Sequence, residues 1–466
     1  MLSTSLEFRR TIAENTKVEL KATLMLADGG VVALTGDDFV MGGMSVTQAT
    51  SGAGSFDVGA AVMGSCDLTL ANFDQRFDEY DFDGAVLLPY AGVELESGAV
   101  EWLCLGTYGV EQPESYGFTI SLHCLDNLRL LAVPATGLGL TYPASLGAIA
   151  SAVLAHCGVT LATPSFPGSG YVVDAEPQDD GMTCLDLLSY VAQVAGCFVT
   201  CDTQGRCSIR WYDTGAWEAE DWLDGGSFDG DLTPYEDGDV ADGGTFMDGG
   251  DRVEGGTFDA AMLYSLSTLT VNTDDVLVTG VSVTSAPEVS EDGTVGEDGE
   301  TALVGSEGYV LSIEGNPLVE HGRAAEVARQ VASSVVGMRF RPFRGSGIAS
   351  PAWQAGDPIV VTDAMQRTYR SWLTSYTWKA GAYASMACDA APAARNGAAQ
   401  GGSSTRSSVA LRRGLQAEGA ARSEAIGQLR EGFTGTYRGA DFSVTFLEGR
   451  LVRIDSDPNG HFVASR

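Results

Sequence analysis

The architecture can be read from the stretch Thr183-Cys-Leu-Asp-Leu-Leu-Ser-Tyr-Val-Ala-Gln-Val-Ala-Gly-Cys-Phe-Val-Thr-Cys-Asp-Thr-Gln-Gly-Arg-Cys-Ser-Ile-Arg210. The Thr183 hydroxyl can cap a helix while the Asp186 carboxylate reaches back to it, and the apolar residues that follow recur at helical spacing. Gly196 is a typical helix end. The residues after it have a strand pattern interrupted at 204–205, which predicts a hairpin.

A second helix is predicted just upstream, over 145–157, with Gly158 as its stop. Its apolar stripe consists of Leu146, Ile149, Val153 and Leu154. The two helices and the hairpin together predict an α+β unit of helix–helix–hairpin type over 136–212.

The residues before this unit, 1–135, have the pattern of successive strands. In Val18-Glu-Leu-Lys-Ala-Thr-Leu-Met-Leu26 the even positions are apolar, and Phe118-Thr-Ile-Ser-Leu-His-Cys124 alternates in the same way. Alternation with period two places one strand face on a core and the other toward water. The segment is therefore predicted to fold as a small barrel or sandwich.

A second strand-rich segment is predicted over 263–390. Strand patterns cover 267–271, 276–283 and 354–362. Asn316 is a favourable helix cap and Pro317 a favourable first residue, so a helix is predicted over 317–336. Its buried stripe is expected to consist of Ala324, Val327, Ala328, Val331 and Val335.

The stretch 213–262 differs in composition from both of its neighbours. The phrases Asp224-Gly-Gly-Ser-Phe-Asp229, Asp242-Gly-Gly-Thr-Phe-Met247 and Glu254-Gly-Gly-Thr-Phe-Asp259 recur in it. Their irregular spacing favours a series of tight turns over a solenoid. Asp229-Gly-Asp231 and Asp237-Gly-Asp239 also place oxygens two residues apart, as calcium loops do. The sequence leaves two readings open, an acidic solvated insertion and a calcium site, of which the first is favoured.

The end of the chain is predicted to contain a linker and helix over 391–432 and a β-hairpin tip over 433–466. The hydrophobic stripe of that helix is interrupted by glycines, and it is the one place where the sequence suggests oligomer contacts. The predicted contact residues are Leu411, Leu415, Ile426, Leu429 and Phe433.

The net charge of −35 restricts the classes of partner. Residues 391–466 hold ten Arg and seven Asp or Glu, so the first 390 residues carry −38. Because phosphate binding requires clustered Lys and Arg, sequence-specific nucleic-acid binding is not expected. No apolar run reaches the length of a transmembrane segment or has the form of a signal peptide, so the chain is expected to be soluble and not to be exported by the general secretory route.

Neither a metal site nor a catalytic site is predicted. The nine Cys are odd in number and mostly lie in apolar contexts, and Cys197, Cys201 and Cys207 fit no zinc spacing. The four His have structural explanations, such as His156 at a helix end. Nucleophile elbows, phosphate loops and metalloprotease motifs are all missing. We therefore expect no enzyme activity and no cofactor.

Several phrases resemble the hub or tail-associated proteins of long-tailed phages, which share the fold of the contractile-tail baseplate hub. Phe73-Asp-Gln-Arg-Phe-Asp-Glu-Tyr-Asp-Phe-Asp-Gly-Ala85 and Gly106-Thr-Tyr-Gly-Val110 are similar to their first barrel. The stretch quoted at the outset is similar to their helix-plus-hairpin domain. Ile313-Glu-Gly-Asn-Pro-Leu-Val319 and Gly356-Asp-Pro-Ile-Val360 resemble their second barrel and its helix. The Asp-Gly-Gly phrases also look like an insertion found in many of these proteins. The likeness covers roughly residues 1–390 in the same order.

The resemblance implies an α+β, β-rich fold in which two small β-barrel domains, 1–135 and 263–390, enclose the α+β domain and the Gly/Asp-rich insertion. A short C-terminal helix and hairpin follow. It implies a homotrimeric ring in the virion tail tip that caps the tail tube. Its expected partners are the distal tail, tail tube and tape measure proteins, with contact to the host cell surface. Inward-facing acids would repel passing DNA, and general solubility is an equally weighted explanation of the acidic excess. Two alternatives are a cell-wall lytic hub and an acidic adhesin that binds calcium or sugar.

Overall fold

The computed structural model describes residues 1–13, 17–51, 56–111, 113, 116–177, 181–212, 261–262, 265–286, 299–363, 367–389, 435–438, 442–447, 450–456 and 464–465. The chain divides into two compact units, Met1–Gln400 and Gly401–Arg466. The predicted insertion therefore lies outside the described residues except at its last two positions. The predicted linker and helix over 391–432 lie wholly outside them.

Most elements of the first unit are strands. Its α-helices are α1 (Leu6–Ala13), α2 (Leu146–His156), α3 (Cys184–Ala195) and α4 (Ala324–Val335). The strands of its first half are β1 (Val18–Met25), β2 (Val31–Thr35), β3 (Phe39–Ala49), β4 (Ser65–Ala71), β5 (Val86–Glu94), β6 (Val100–Cys104), β7 (Tyr108–Val110), β8 (Thr119–Asp126), β9 (Ala144–Ser145), β10 (Val172–Val173), β11 (Phe198–Cys201) and β12 (Cys207–Arg210). Those of its second half are β13 (Ala261–Met262), β14 (Ser265–Val271), β15 (Val276–Thr284), β16 (Thr301–Gly305), β17 (Tyr309–Ile313), β18 (Arg339–Phe340), β19 (Phe343–Ile348), β20 (Pro358–Thr362), β21 (Thr368–Trp372), β22 (Ser375–Lys379) and β23 (Ala384–Cys388).

One twelve-stranded sheet joins the two β-rich segments. Its strand order is β14-β19-β23-β22-β3-β4-β8-β7-β5-β1-β2, with β6 on β5. The junction is the antiparallel pairing of β22 with β3, which runs from Ser375 opposite Ala49 to Lys379 opposite Ser45. The side-chain oxygens of Thr47 and Thr377 meet across it at 3.1 Å. The α+β, β-rich class is confirmed. That each segment closes as a separate barrel stays a prediction.

The period-two patterns have the predicted burial. In β8, Ile120, Leu122 and Cys124 are buried while the residues between them are exposed. In β1, Ala22 and Leu24 are buried. Because a strand alternates its side chains between two faces, one face of the sheet supplies the core.

The predicted helix–helix–hairpin unit is present. The Ser145 side chain accepts a hydrogen bond from the Ala148 amide and begins α2. Thr183 and Asp186 form the expected capping box of α3, and Gly196 ends that helix in the left-handed conformation with φ of 66°. Strands β11 and β12 pair around Gly205, as predicted.

The helix of the second β-rich segment begins later than predicted. It starts at Ala324, so the predicted start at Pro317 is wrong, although all five residues of the predicted stripe are buried. The cause lies in Asn316, whose amide nitrogen donates to the Tyr190 carbonyl and to the Gln193 side chain, each at 3.0 Å. Its side-chain oxygen accepts from the Leu318 amide and closes a local turn. Asn316 therefore anchors the segment to α3 instead of capping a helix.

An aromatic cluster at the centre of the first unit draws on all three of its parts. Phe56 from the first β-rich segment stacks on Phe340 from the second at 4.4 Å between ring centroids. Tyr212 from the α+β unit stacks on Phe56 at 5.0 Å and meets Trp372 at 5.2 Å. The Tyr212 hydroxyl is 2.8 Å from the Thr50 hydroxyl. Because buried aromatic rings contribute large apolar areas, this cluster holds the three parts in one body.

The second unit contains an antiparallel four-stranded sheet in the order β24-β25-β26-β27. Its strands are β24 (Gly435–Arg438), β25 (Phe442–Leu447), β26 (Arg450–Ser456) and β27 (Ala464–Ser465). Strands β25 and β26 form the C-terminal hairpin predicted within 433–466. Their flanking strands, β24 and β27, were not predicted.

Candidate interaction surface

The residues predicted as oligomer contacts, Leu411, Leu415, Ile426, Leu429 and Phe433, lie outside the described part of the chain. The structure instead directs attention to two loops at one end of β4 and β8. We call these residues, 72–84 and 116–118, the aromatic surface. It includes the phrase 73–85 that carried part of the family resemblance.

Two phenylalanine rings stand in solvent on the aromatic surface. Phe73 is 71% exposed and Phe118 is 68% exposed, and their rings stack with centroids 6.3 Å apart. Tyr116 is 41% exposed beside them. Scattered single apolar residues are normal on a protein surface, whereas neighbouring exposed rings make this group a candidate interaction site.

A buried asparagine fixes the two loops together. The Asn72 side chain donates to the Asp78 carboxylate at 2.7 Å and to the Gly117 carbonyl at 2.8 Å. The Asn72 side-chain oxygen accepts from the Phe77 amide at 3.0 Å, and the Asn72 backbone N–H donates to the Phe118 carbonyl. The two exposed rings are therefore held on a preformed backbone, which lowers the entropy cost of binding.

A second aromatic layer supports the exposed rings. Phe77 and Phe82 are buried in the core, and the Phe82 ring lies parallel to Tyr116 at 6.2 Å. The Tyr116 hydroxyl donates to the Tyr80 carbonyl at 3.0 Å. Phe82 therefore contributes to stability, while Phe73 and Phe118 are available to a partner.

Carboxylates surround the aromatic rings. The exposed acidic residues of the 72–84 loop are Asp74, Asp78, Glu79, Asp81 and Asp83. The one base of this loop, Arg76, is engaged by an ion pair with Asp38 and by stacking over the Phe77 ring. An apolar centre with a charged rim is the usual anatomy of a protein interface. A negative rim favours contact with a basic face over contact with an acidic one.

The sequence of this loop does not by itself identify an exposed surface. Aromatic residues alternate with acids from Phe73 to Phe82. The same pattern is typical of a strand whose aromatic face is buried and whose acidic face is exposed. Only the tertiary structure separates the buried rings of Phe77 and Phe82 from the exposed ring of Phe73. A run of acids and aromatics between two strands was the available signal.

The first unit also contains a small cleft where the α+β unit meets both β-rich segments. Gln48, Thr107, Asp126, Asp202 and Gln354 are among the residues that line it. The Asp126 carboxylate accepts hydrogen bonds from the Gly64 amide at 2.7 Å and from the Leu128 amide at 3.0 Å.

Burial raises the pKa of Asp126 to about 6, against the lowering effect of these two hydrogen bonds. Asp126 also caps the short 3₁₀ helix Asn127–Leu131. Because each of its oxygens accepts a backbone amide, the carboxylate has a structural task here.

The other residues considered for chemistry are dispersed. The His123 ring lies 2.6 Å from the exposed Asp67 carboxylate, and His156 is the last residue of α2. All nine cysteines are free thiols. Among the described residues, no three His, Cys, Asp or Glu side chains group as metal ligands. In that same part of the chain, every helix is too short or too polar to cross a membrane.

Comparison with known proteins found no matching family model and no matching curated protein. The chain is similar to the 43 kDa tail protein of prophage MuSo2 from Shewanella oneidensis, with 13% identity and a TM-score of 0.42, over 79% of this chain and 98% of that one. The tail protein from Neisseria meningitidis MC58 matches at 10% identity and a TM-score of 0.43, over 80% and 96%. Prophage tail protein gp18 from Listeria monocytogenes EGD-e matches at 9% identity and a TM-score of 0.44, again over 80% and 96%.

Proposed function

We propose that this chain is a structural hub protein of a phage tail tip or baseplate, without an enzymatic role of its own. In this proposal three copies form a ring that caps the tail tube and connects it to the host-contacting tip. The protein is then a virion component that assembles in the host cytoplasm beside the other tail proteins.

The pairing of β3 with β22 supports this proposal most directly. It places the two β-rich segments side by side in one sheet, and the central aromatic cluster locks the α+β unit onto both. Such a subunit offers two β-rich faces to one ring. Three subunits would therefore present six such faces around the axis, which suits a sixfold tube.

The aromatic surface is proposed as the contact to another tail protein and not to a second copy of this chain. If this surface met the same surface of a second copy, its five exposed acids would face five identical acids, which disfavours that contact. The fitting partner is a tail protein with an apolar depression rimmed by Lys or Arg. Phe73 and Phe118 would then be the central residues of the interface.

Light scattering on the purified full chain tests the ring. Three chains of 48.7 kDa each would give a particle of about 146 kDa. A mass near 48.7 kDa at micromolar concentration would contradict the proposal. The variant Phe73→Ala/Phe118→Ala is the matched control, since it should keep the ring mass if its surface faces a different protein.

A turbidity assay with purified cell walls tests the lytic alternative. Clearing of the walls by the pure chain would overturn the structural assignment. An unchanged turbidity, together with a mass of about 146 kDa, is the result expected from the proposal.

A further inference from the structure

Two pairs of cysteines are direct cross-strand neighbours. All nine cysteines lie in the described part of the chain. Cys201 lies opposite Cys207 in the hairpin of β11 and β12. Cys66 lies opposite Cys124 where β4 pairs with β8. Because directly opposite side chains of a ladder point to the same face of the sheet, each pair places two thiols side by side.

Backbone hydrogen bonds show which kind of ladder position Cys201 and Cys207 occupy. The Cys207 N–H donates to the Thr160 carbonyl at 2.8 Å, and the Cys207 carbonyl accepts from the Ala162 N–H at 2.7 Å. Both backbone groups of Cys207 are therefore used on the side of β12 that is away from β11. It follows that Cys201 and Cys207 form a non-hydrogen-bonded pair of the hairpin.

This kind of position favours a disulfide. A disulfide requires Cβ atoms about 3.5–4.5 Å apart and Cα atoms about 4.4–6.8 Å apart. Opposite residues at a non-hydrogen-bonded position have Cα atoms about 4.5 Å apart, and their side chains are closer than at a hydrogen-bonded position. Cys201 and Cys207 can therefore be joined with little movement of the hairpin backbone.

The pair of Cys66 and Cys124 differs in both geometry and access. Two positions farther along both strands, the Asp126 N–H donates to the Gly64 carbonyl at 2.9 Å. Because hydrogen-bonded positions recur at every second residue of an antiparallel ladder, Cys66 and Cys124 occupy such a position, where side chains are farther apart. Both thiols are also fully buried within the twelve-stranded sheet.

An oxidant in solution can reach one thiol of the hairpin pair. Cys201 is partly exposed and lines the small cleft between the α+β unit and the two β-rich segments, whereas Cys207 is buried. Burial, followed by the nearby Asp126 carboxylate, raises the pKa of both thiols strongly. Because the thiolate is the reacting form, oxidation should be slow at neutral pH and should require excess oxidant.

We propose that Cys201 and Cys207 form a dithiol site that hydrogen peroxide converts into a cross-strand disulfide in the folded chain. The Cys201 thiolate attacks one peroxide oxygen, the O–O bond breaks, and hydroxide leaves while a sulfenic acid remains on Cys201. The Cys207 sulfur then attacks the Cys201 sulfur, and its proton leaves with the sulfenic hydroxyl as water. Two thiols are oxidised to one disulfide, and one peroxide is reduced to two waters.

The bond would close the hairpin around a turn that is attached to the first β-rich segment. The Thr107 hydroxyl donates to the Thr203 carbonyl at 2.9 Å, and the Asn127 side chain donates to the Gly205 carbonyl at 2.7 Å. Both acceptors lie between the two cysteines in sequence. The disulfide would therefore restrict the part of the α+β unit that is hydrogen-bonded to this segment.

The biological setting of this bond rests on the proposed function. A hub assembled in a reducing cytoplasm would keep both thiols, and a virion released outside the cell would acquire the bond. The chemistry itself is tested on the purified chain, so its failure would leave the light-scattering test of the ring unaffected.

Peptide mapping under non-reducing conditions tests this proposal. The folded full chain is incubated with excess hydrogen peroxide, its remaining thiols are blocked with N-ethylmaleimide, and it is digested with trypsin and chymotrypsin. These proteases release residues 199–206 and 207–210 as separate peptides with one cysteine each. A linked pair about 2 Da lighter than the two reduced peptides is expected, and dithiothreitol should separate it. It should exceed any Cys66–Cys124 link at least ~10-fold.

Two variants serve as test and control. In Cys207→Ala, dimedone present during the peroxide treatment should capture the sulfenic acid on Cys201, because the second thiol is missing. In Cys124→Ala the Cys201–Cys207 link should form as in the unchanged chain. Absence of the linked pair after treatment of the unchanged chain, or linkage of Cys201 to a different cysteine, would overturn the proposal. So would a folded Cys207→Ala chain without a dimedone adduct on Cys201.

Discussion

Replacing Asp126 with asparagine should remove a pH-dependent component of the folding free energy. The Asp126 carboxyl is 6% exposed, and burial raises its pKa from 3.8 to about 6. Between these two values the folded chain binds more protons at this position than the unfolded chain does. The contribution of Asp126 to stability is therefore fully present below pH 3.8 and is lost as the pH rises through 6.

The magnitude follows from the pKa difference. The gap between 3.8 and about 6 corresponds to about 3 kcal/mol between the fully protonated and fully ionised limits. Roughly 2 kcal/mol of this should appear between pH 4.5 and pH 7, where the chain can be studied in ordinary buffers. Asparagine does not titrate, and it can accept only one of the two backbone hydrogen bonds. It therefore adds a constant cost of ~1–3 kcal/mol at every pH.

Urea unfolding of both chains at several pH values provides the measurement. The stability of the unchanged chain minus that of Asp126→Asn should fall by roughly 2 kcal/mol from pH 4.5 to pH 7. Asp83→Asn, at an exposed position, is the control. Its unfolding free energy should depend on pH as that of the unchanged chain does, because Asp126 remains. A constant difference across this range, or one that grows with pH, would refute the reasoning from burial.

Three further predictions concern single side chains. Thr183→Ala should lower the free energy of unfolding by about 1 kcal/mol in urea titrations, because it removes the capping box of α3. Phe82→Ala should cost ~3–5 kcal/mol, whereas Phe118→Ala should cost less than ~0.5 kcal/mol, because only the first ring is buried. Gly196→Ala should lower the unfolding free energy by about 1 kcal/mol, because a side chain is strained at φ of 66°.

Local structure was predictable where the signal is local. The capping box at Thr183 and the left-handed Gly196 define α3 from residues within one or two turns, and the alternation of β8 reports its own burial. Long-range hydrogen bonding was not predictable in this way. Asn316 has the form of a helix cap, but its amide is used by α3, more than 120 positions earlier in the chain.

The pairing of β3 with β22 has no sequence signal for the same reason. Ser45 and Lys379 are far apart in sequence and become neighbours only because the chain between β3 and β22 folds so that the two strands lie side by side. The aromatic surface was missed because exposed and buried rings alternate within a single loop, and the residue types at Phe73 and Phe82 are the same.

Negative-stain electron microscopy of the purified chain tests the central claim most directly. Class averages should be rings with threefold symmetry in which each subunit contributes two β-rich lobes. A compact particle the size of one chain, or a ring of another symmetry, would contradict the assignment as a trimeric hub.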